Sequence, residues 1–177
     1  MTFAPGRMEI FEGDITALDV GVIVNAANEQ LSPGGGVCGA IHDAAGPGLA
    51  AECAQIPGGC ATGEARFTNG YNLTAPYVIH AVGPVWHGGE AGEDKLLAQC
   101  YRRALGLAVG NNLTTIAFPA ISTGIFGFPA DRAAQIAVST VKQFLDGDDR
   151  LKRVIFCCFG EASLKAHQRA FTEFVDG

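Results

Sequence analysis

Three segments of the chain place glycines and polar side chains directly after an apolar run, at residues 13–16, 25–36 and 122–127. In open α/β sheets such positions follow the carboxyl ends of strands, where ligands bind. The three consecutive glycines at 34–36 lead into residues 37–42, which predict a helix start whose free backbone N–H groups favour an anion such as phosphate. Glycine-rich loops also serve tight turns alone, so this segment leaves both interpretations open.

The segment 122–127 offers a second set of donors, because Ser122 and Thr123 carry hydroxyls and two glycines follow ahead of a predicted helix. Two such loops are suited to clamp one diphosphate from opposite sides. Phe126 would add a flat apolar wall, although an aromatic side chain after a strand also serves as core. The chain has neither Gly-x4-Gly-Lys-Ser/Thr nor a Gly-x-Gly-x-x-Gly after its first strand, which argues against an NTPase and a nicotinamide-dependent dehydrogenase.

Composition places the chain among globular proteins. Of its 177 residues, 48% are apolar and 17% are charged, and the net charge of −6 argues against general nucleic-acid binding. The longest apolar stretches, residues 20–24 and 154–159, are far shorter than the roughly 18 residues that cross a bilayer. Residues 1–7 show no secretory signal, so we expect a cytoplasmic protein with one domain over residues 1–177 and no membrane association.

The six cysteines are scattered, without the paired short spacings of a zinc site. We therefore expect reduced thiols, no bound metal and no other cofactor. Cys157 and Cys158 are neighbours in an apolar run, and on a strand their side chains would face opposite sides of the sheet.

Hydrophobic periodicity predicts strands that alternate with helices. The runs of strand length are residues 8–11, 20–25, 65–68, 77–82, 115–119 and 154–159, and the amphipathic helical stretches are residues 94–109, 130–145 and 161–175. This alternation is typical of an α/β domain with a largely parallel sheet that is covered on both faces. Residues 86–94 are rich in glycine and acidic residues, which predicts an exposed loop.

Several motifs resemble those of a MacroD-type macrodomain, in the order in which that family carries them. They are Gly-Asp-Ile-Thr at 13–16, Val-Asn-Ala-Ala-Asn at 24–28, Gly-Gly-Gly-Val at 34–37, Ala-Ala-Gly-Pro at 44–47, Tyr-Val-Ile-His-Ala-Val-Gly-Pro at 77–84 and Pro-Ala-Ile-Ser-Thr-Gly-Ile-Phe-Gly at 119–127. The resemblance runs from about Glu9 to Phe159. It implies a three-layer α/β/α sandwich with a mixed, mostly parallel central sheet of about six strands, and ADP-ribose in a cleft at the strand ends.

The resemblance also implies roles for individual residues. Asp14 would accept the adenine amino group and Phe159 would form a wall of the adenine slot, the alternatives being a turn cap and a core residue. Asn28 would hold the distal ribose and Asn25 is expected to tie down the loop, although both also fit turn positions. The predicted substrate-binding residues are Asp14, Ile15, Asn25, Gly34, Gly35, Gly36, Val37, Ser122, Thr123, Gly124, Ile125, Gly127 and Phe159, and the predicted catalytic residues are Asn28, Cys38 and Phe126.

Cys38 stands where MacroD-type sequences usually carry an aspartate that orients or activates water. Some alphaviral macrodomains, a group regarded as hydrolytic, are similar in carrying cysteine there. A thiol with its ordinary pKa cannot replace a carboxylate at neutral pH. Three interpretations stay open for Cys38: a small residue that only fits beside the ribose, a nucleophile activated by His42 one helical turn later, and a group that positions water while a phosphate oxygen of the ligand takes the proton. Asp43 falls on another side of the helix, and His42 and His80 are expected to be structural.

The resemblance therefore implies a hydrolase that cleaves ADP-ribosyl esters, on mono-ADP-ribosylated acidic side chains of proteins or in O-acetyl-ADP-ribose, without a metal. The alternative from another class is a reader module that binds ADP-ribosylated proteins and releases them unchanged, which the cysteine at position 38 favours. A weaker alternative is a phosphatase that acts on an ADP-ribose phosphate monoester in the same cleft.

Overall fold

A computed structural model describes residues 6–176, and its central feature is a six-stranded sheet. The strands are β1 (Met8–Glu12), β2 (Val22–Ala26), β3 (Ala65–Asn69), β4 (Tyr77–Ala81), β5 (Thr115–Phe118) and β6 (Arg153–Cys158), and their spatial order is β1-β6-β5-β2-β4-β3. β3 pairs antiparallel with β4, and the other neighbouring pairs are parallel. The mixed, mostly parallel sheet of the prediction is confirmed. Residues 1–5 and 177, which the predicted domain also includes, lie outside the described residues.

Helices cover both faces of this sheet. They are α1 (Gly36–Ala45), α2 (Pro47–Ala54), α3 (Glu93–Gly110), α4 (Ala130–Gly147) and α5 (Glu161–Phe174), with a short 3-10 helix over Ile15–Ala17. The side chains of α3, α4 and α5 form one core with the sheet, and those of α1 and α2 form the core on the opposite face. The molecule is therefore a three-layer α/β/α sandwich.

Two-sided burial explains the continuous apolar runs of the strands. In β2, Val22 and Val24 pack into the core beneath α3 to α5, whereas Ile23 packs into the core beneath α1 and α2. Successive strand side chains alternate between faces, so a strand covered on both sides is apolar at nearly every position. Cys157 and Cys158 of β6 enter opposite cores in the same way, as predicted.

Two local features differ from the sequence-based predictions. The helix α2 was not expected, because its short segment begins with Pro47 and Gly48 and carries a weak amphipathic pattern. The segment 86–94 was expected to be an exposed loop, and residues 87, 88 and 90–92 are exposed. Trp86 is half-buried, however, and Glu93 is buried at the first position of α3. Over residues 6–176, no helix combines the length and apolar character needed to cross a membrane.

A substitution in α3 tests the orientation of that helix. Leu105 is fully buried against the sheet, whereas Leu107 is only partly buried. Leu105→Ala should lower the free energy of unfolding by about 2–5 kcal/mol, because it deletes buried methyl groups and leaves a cavity. Leu107→Ala should cost clearly less. Urea denaturation of both variants measures the difference, and equal losses would contradict this orientation of α3.

Candidate active site

A cleft of about 700 Å³ opens beyond the carboxyl ends of β1, β6, β5 and β2. Three interstrand steps separate β1 from β2, which corresponds to about 14 Å across the sheet. The cleft therefore suits an extended ligand. Its lining includes every predicted site residue except Asn25 and Gly127.

One wall of the cleft is the glycine loop at the start of α1. Gly35 is the N-cap residue and Gly36 begins the helix with a φ of 56°, a conformation that favours glycine. The first intrahelical donor is the N–H of Gly39, which bonds the carbonyl of Gly35 at 3.2 Å. The N–H groups of Gly36, Val37 and Cys38 therefore have no acceptor within the helix, and no side chain in the described part of the chain caps them.

The opposite wall is the loop of residues 122–127, called here the β5 loop. The N–H of Gly127 donates to the carbonyl of Gly124 at 3.0 Å, which closes the turn. Gly127 thus lies behind the turn and not in the cleft, unlike its predicted position. Among residues 6–176, the N–H groups of Gly124, Ile125 and Phe126 have no hydrogen-bond acceptor. Two walls of one cleft consequently present unpaired backbone donors.

Ser122 gives the β5 loop a strained start. Its φ is 69°, in the left-handed region, and its buried hydroxyl has no hydrogen-bond partner among the described residues. Gly83, the glycine after β4, lies directly against it, because a Cβ at Gly83 would stand 2.1 Å from the Ser122 hydroxyl oxygen. Gly83 lines the cleft but was missing from the predicted site. The signal that could have found it is a glycine immediately after a buried strand.

Asp14 and Phe159 lie at the β1 and β6 end of the cleft. Their positions test whether Asp14 is a turn cap and whether Phe159 is a core residue, the two alternatives to ligand contact. Asp14 Oδ1 accepts hydrogen bonds from the Thr16 N–H at 2.9 Å and the Thr16 hydroxyl at 2.7 Å, so the turn cap is present. Asp14 Oδ2 accepts no hydrogen bond from a described residue and stays open to a ligand. Phe159 is 90% exposed, which excludes the core alternative. Asp14 is the charged side chain of the cleft lining.

At the β2 end, Asn28 and Cys38 both contact Ser32. Asn28 Nδ2 donates to the Ser32 carbonyl at 2.9 Å, and Asn28 Oδ1 accepts the Ser32 N–H at 3.0 Å. The amide thus closes the loop that leads to the glycines, and one Nδ2 hydrogen remains for a ligand. The Cys38 thiol, 5% exposed, donates to the same Ser32 carbonyl at 3.7 Å.

Asn25 lies beneath the cleft floor. It is 1% exposed, and its Nδ2 is 3.7 Å from Cys38 Sγ and 3.1 Å from His80 Nδ1. His80 Nε2 in turn lies 2.9 Å from the Thr68 hydroxyl. Because Asn25 pairs with His80 in the β2–β4 register, its side chain points toward the buried imidazole and not into the cleft. The expected tie to the loop fits this position, but the expected contact with substrate does not.

His42 does not form the pair with Cys38 that the nucleophile interpretation requires. The buried ring stands 6.5 Å from the His80 ring, lies outside the cleft lining and makes no hydrogen bond to the thiol. Burial lowers the pKa of His42, and the nearby Asp43 only partly offsets this. A neutral imidazole at pH 7 supplies no positive charge to stabilise a thiolate. His42 Nδ1 also has no hydrogen-bond partner among residues 6–176, so the ring is buried with one nitrogen unpaired.

The family follows from a direct comparison of the sequence. The family model described as Macro domain matches residues 24–137, well over half of the chain, including both walls of the cleft. The chain belongs to the macrodomain family. All six cysteines of this macrodomain are free and buried. In the described part of the chain, no group of three or more His, Cys, Asp or Glu side chains is arranged to hold a metal ion.

Relatives and solved structures support the same assignment. An O-acetyl-ADP-ribose deacetylase of Klebsiella pneumoniae is 51% identical over 169 residues, covering 94% of this macrodomain and 97% of that protein. An ADP-ribose glycohydrolase MACROD2 of Xenopus laevis is 51% identical over 170 residues, covering 95% of this chain and 40% of that protein. The structure of an Oceanobacillus iheyensis macrodomain mutant with ADPR has a TM-score of 0.94 and 39% identity, covering 100% of this chain and 99% of that one.

The buried imidazole under the floor predicts a loss of stability in acid. Burial, with a smaller contribution from His42, lowers the pKa of His80 to about 3. An unfolded histidine titrates near pH 6.5, so between roughly pH 6.5 and 3 the unfolded chain binds a proton that the folded protein does not. The contribution of His80 to stability is thus complete above this window and falls with decreasing pH, by at most about 1.4 kcal/mol per pH unit.

Urea denaturation of the wild type and of His80→Gln at pH 7, 6 and 5 measures this slope. The variant should lose less stability per pH unit than the wild type, whatever its stability at pH 7. His42 and His167 remain in both proteins, so the difference between the two slopes reports His80 together with its coupling to His42. Parallel slopes would show that His80 is not held neutral by the fold.

Proposed function

We propose that this macrodomain binds ADP-ribose in the cleft and hydrolyses ADP-ribosyl esters. The observation that carries the proposal is the set of unpaired backbone N–H groups on both walls of one cleft. These groups come from Gly36, Val37 and Cys38 at the start of α1 and from the β5 loop. A diphosphate offers acceptor oxygens on opposite sides, and charge-assisted hydrogen bonds to it are stronger than neutral ones.

The cleft has no basic side chain in its described lining, so the fold must balance the diphosphate charge by other means. The positive end of α1 and the oriented peptide groups of the β5 loop supply this balance. Asp14, the acidic group of the lining, belongs to the β1 end, away from the glycine loop that follows β2. A carboxylate there suits the amino group of adenine, and the exposed ring of Phe159 suits stacking on the base.

With the diphosphate between the two walls, the distal ribose reaches the β2 end of the cleft. Asn28 there presents its remaining Nδ2 hydrogen, Cys38 presents its sulfur, and Phe126 lines the opposite side. The names of the relatives, a deacetylase for O-acetyl-ADP-ribose and an ADP-ribose glycohydrolase, support an ester on this ribose as the substrate.

The reaction adds water to the ester and releases ADP-ribose and a carboxylic acid. The Cys38 thiol donates to the Ser32 carbonyl and its sulfur accepts from Asn25 Nδ2, so one sulfur lone pair remains to accept a hydrogen bond from water. A phosphate oxygen of the ligand takes the proton from this water as it attacks the ester. Positioning of water and substrate then carries the catalysis, with no protein group acting as nucleophile.

The second candidate function is a reader module. The observation that favours it is the neutral β2 end of the cleft, since neither a carboxylate nor an imidazole is in the described lining there. A reader would bind ADP-ribose with the same contacts and release an ADP-ribosylated protein unchanged.

Turnover assays with O-acetyl-ADP-ribose and with a protein mono-ADP-ribosylated on acidic side chains distinguish the two. We expect release of ADP-ribose well above the buffer rate, a reduced kcat with little change in KM for Cys38→Ala, and an increased kcat for Cys38→Asp. Cys60→Ala, which removes a buried thiol away from the cleft, should leave both constants unchanged. Tight binding by folded wild type without turnover would decide for the reader, and complete loss of activity in Cys38→Ala would restore the nucleophile interpretation.

A further inference from the structure

Glu93, the first residue of α3, is a buried carboxylate outside the cleft. It is 1% exposed, and its oxygens accept three backbone N–H groups: those of His87 at 2.8 Å, Gly89 at 3.0 Å and Ala91 at 2.7 Å. Burial raises the pKa of this carboxyl, but the backbone hydrogen bonds outweigh burial and lower the pKa to about 2. Glu93 is therefore charged at neutral pH, and the segment 86–92, called here the anchor loop, is folded around it.

The anchor loop is bonded directly to the β5 loop. The N–H of Trp86 donates to the carbonyl of Phe126 at 2.8 Å, and the Trp86 ring packs against the Phe128 ring at 4.7 Å. The N–H of Phe128 donates to the carbonyl of Ser122 at 2.9 Å. The anchor loop thus holds the second half of the β5 loop and, through Phe128, its first residue.

Trp86 also contacts Arg132. The guanidinium of Arg132 lies 5.0 Å from the centre of the indole and makes two hydrogen bonds to Asp94, at 2.8 and 2.7 Å. Gly89 packs against both groups, because a Cβ there would lie 2.8 Å from the indole and 3.1 Å from the guanidinium. The position of Trp86 therefore depends on the path of the anchor loop, which the carboxylate of Glu93 sets.

We propose that Glu93 is a positioning residue for diphosphate recognition. It holds the anchor loop so that Trp86 keeps the β5 loop in the shape that leaves the N–H groups of Gly124, Ile125 and Phe126 open to a ligand. The inference rests on the proposed function, since it assigns the β5 loop to the diphosphate. Without the three bonds to Glu93, the ligand itself would have to order the β5 loop, and its affinity would fall by that cost.

Glu93→Gln tests this role, because it keeps the size of the side chain and replaces one accepting oxygen by an NH₂ group. We expect the Kd for ADP-ribose, measured by calorimetry, to rise roughly tenfold or more, as for one lost hydrogen bond to a charged group. Adenosine reaches only the Asp14 end of the cleft. Its Kd should therefore stay within about twofold of the wild-type value, a much smaller change than the loss of one hydrogen bond would cause. Glu90→Gln is the matched control, since Glu90 is exposed, lies in the same loop and makes no hydrogen bond among the described residues.

Wild-type affinity for ADP-ribose in folded Glu93→Gln would overturn the proposal, and so would an equal loss for adenosine, which indicates general unfolding of the cleft. Gly89→Ala keeps the Glu93 side chain but places a methyl group against Trp86 and strains the loop backbone, because the φ of Gly89 is 93°. It should show the same selective loss, so it serves if Glu93→Gln does not fold. If the wild type itself does not bind ADP-ribose, the proposed function fails. The amide NMR signals of Gly124 and Ile125 then still report whether Glu93 holds the loop: they should move in Glu93→Gln, and unmoved signals would overturn the positioning role.

Discussion

Backbone N–H groups that the fold leaves without acceptors are the constraint on which the site depends. At the start of α1 they are unavoidable, because the first turn of a helix has no preceding carbonyls to receive them. In the β5 loop they result from a turn that uses the N–H of Gly127 internally and leaves those of Gly124, Ile125 and Phe126 unused. Such groups are costly beside apolar walls unless water or a ligand accepts them. β2 and β5 are parallel neighbours, so their carboxyl ends lie side by side. The topology therefore places both sets of unpaired N–H groups in the same cleft.

The same constraint explains why the site needs so few charged residues. Because peptide dipoles fixed by the sheet and by α1 bind the anion, no lysine or arginine side chain has to be desolvated. These dipoles keep their direction only if the loops keep their conformation. Asn25 and His80 support the cleft floor, and Trp86 holds the β5 loop through its hydrogen bond to Phe126. Cys38 fits this arrangement as a small group fixed by hydrogen bonds to Asn25 and Ser32. We propose that catalysis in such a cleft comes from the placement of water and ester and not from a strong base.

Much of the fold could be predicted from the sequence because its signals are local. The strand run 154–159 is apolar at every position, the run 77–82 is interrupted only by His80, and α3 shows a clear apolar face. The helix start at Gly36 was predictable from consecutive glycines followed by helix-forming residues. α2 was missed because proline and glycine at its start and a weak amphipathic pattern gave no periodic signal.

The parts of the site that could not be predicted depend on contacts between distant segments. Asn25 and Asn28 look alike in sequence, and only the pairing of β2 with β4 places Asn25 against His80 beneath the floor. In the sequence, Glu93 looks like an exposed acidic residue of a loop. The three backbone N–H groups that bond to it come together only when the anchor loop folds. The contact of Gly83 with Ser122 likewise joins two strand ends that are far apart along the chain.

The most direct measurement is a crystal structure of the wild-type protein with ADP-ribose at saturating concentration. The account predicts hydrogen bonds from the N–H groups of Val37 and Ile125, on opposite walls, to oxygens of one diphosphate, with the distal ribose beside Asn28. A diphosphate bound through side chains elsewhere, or a nucleotide that leaves the N–H groups of either wall without a phosphate oxygen, would contradict it.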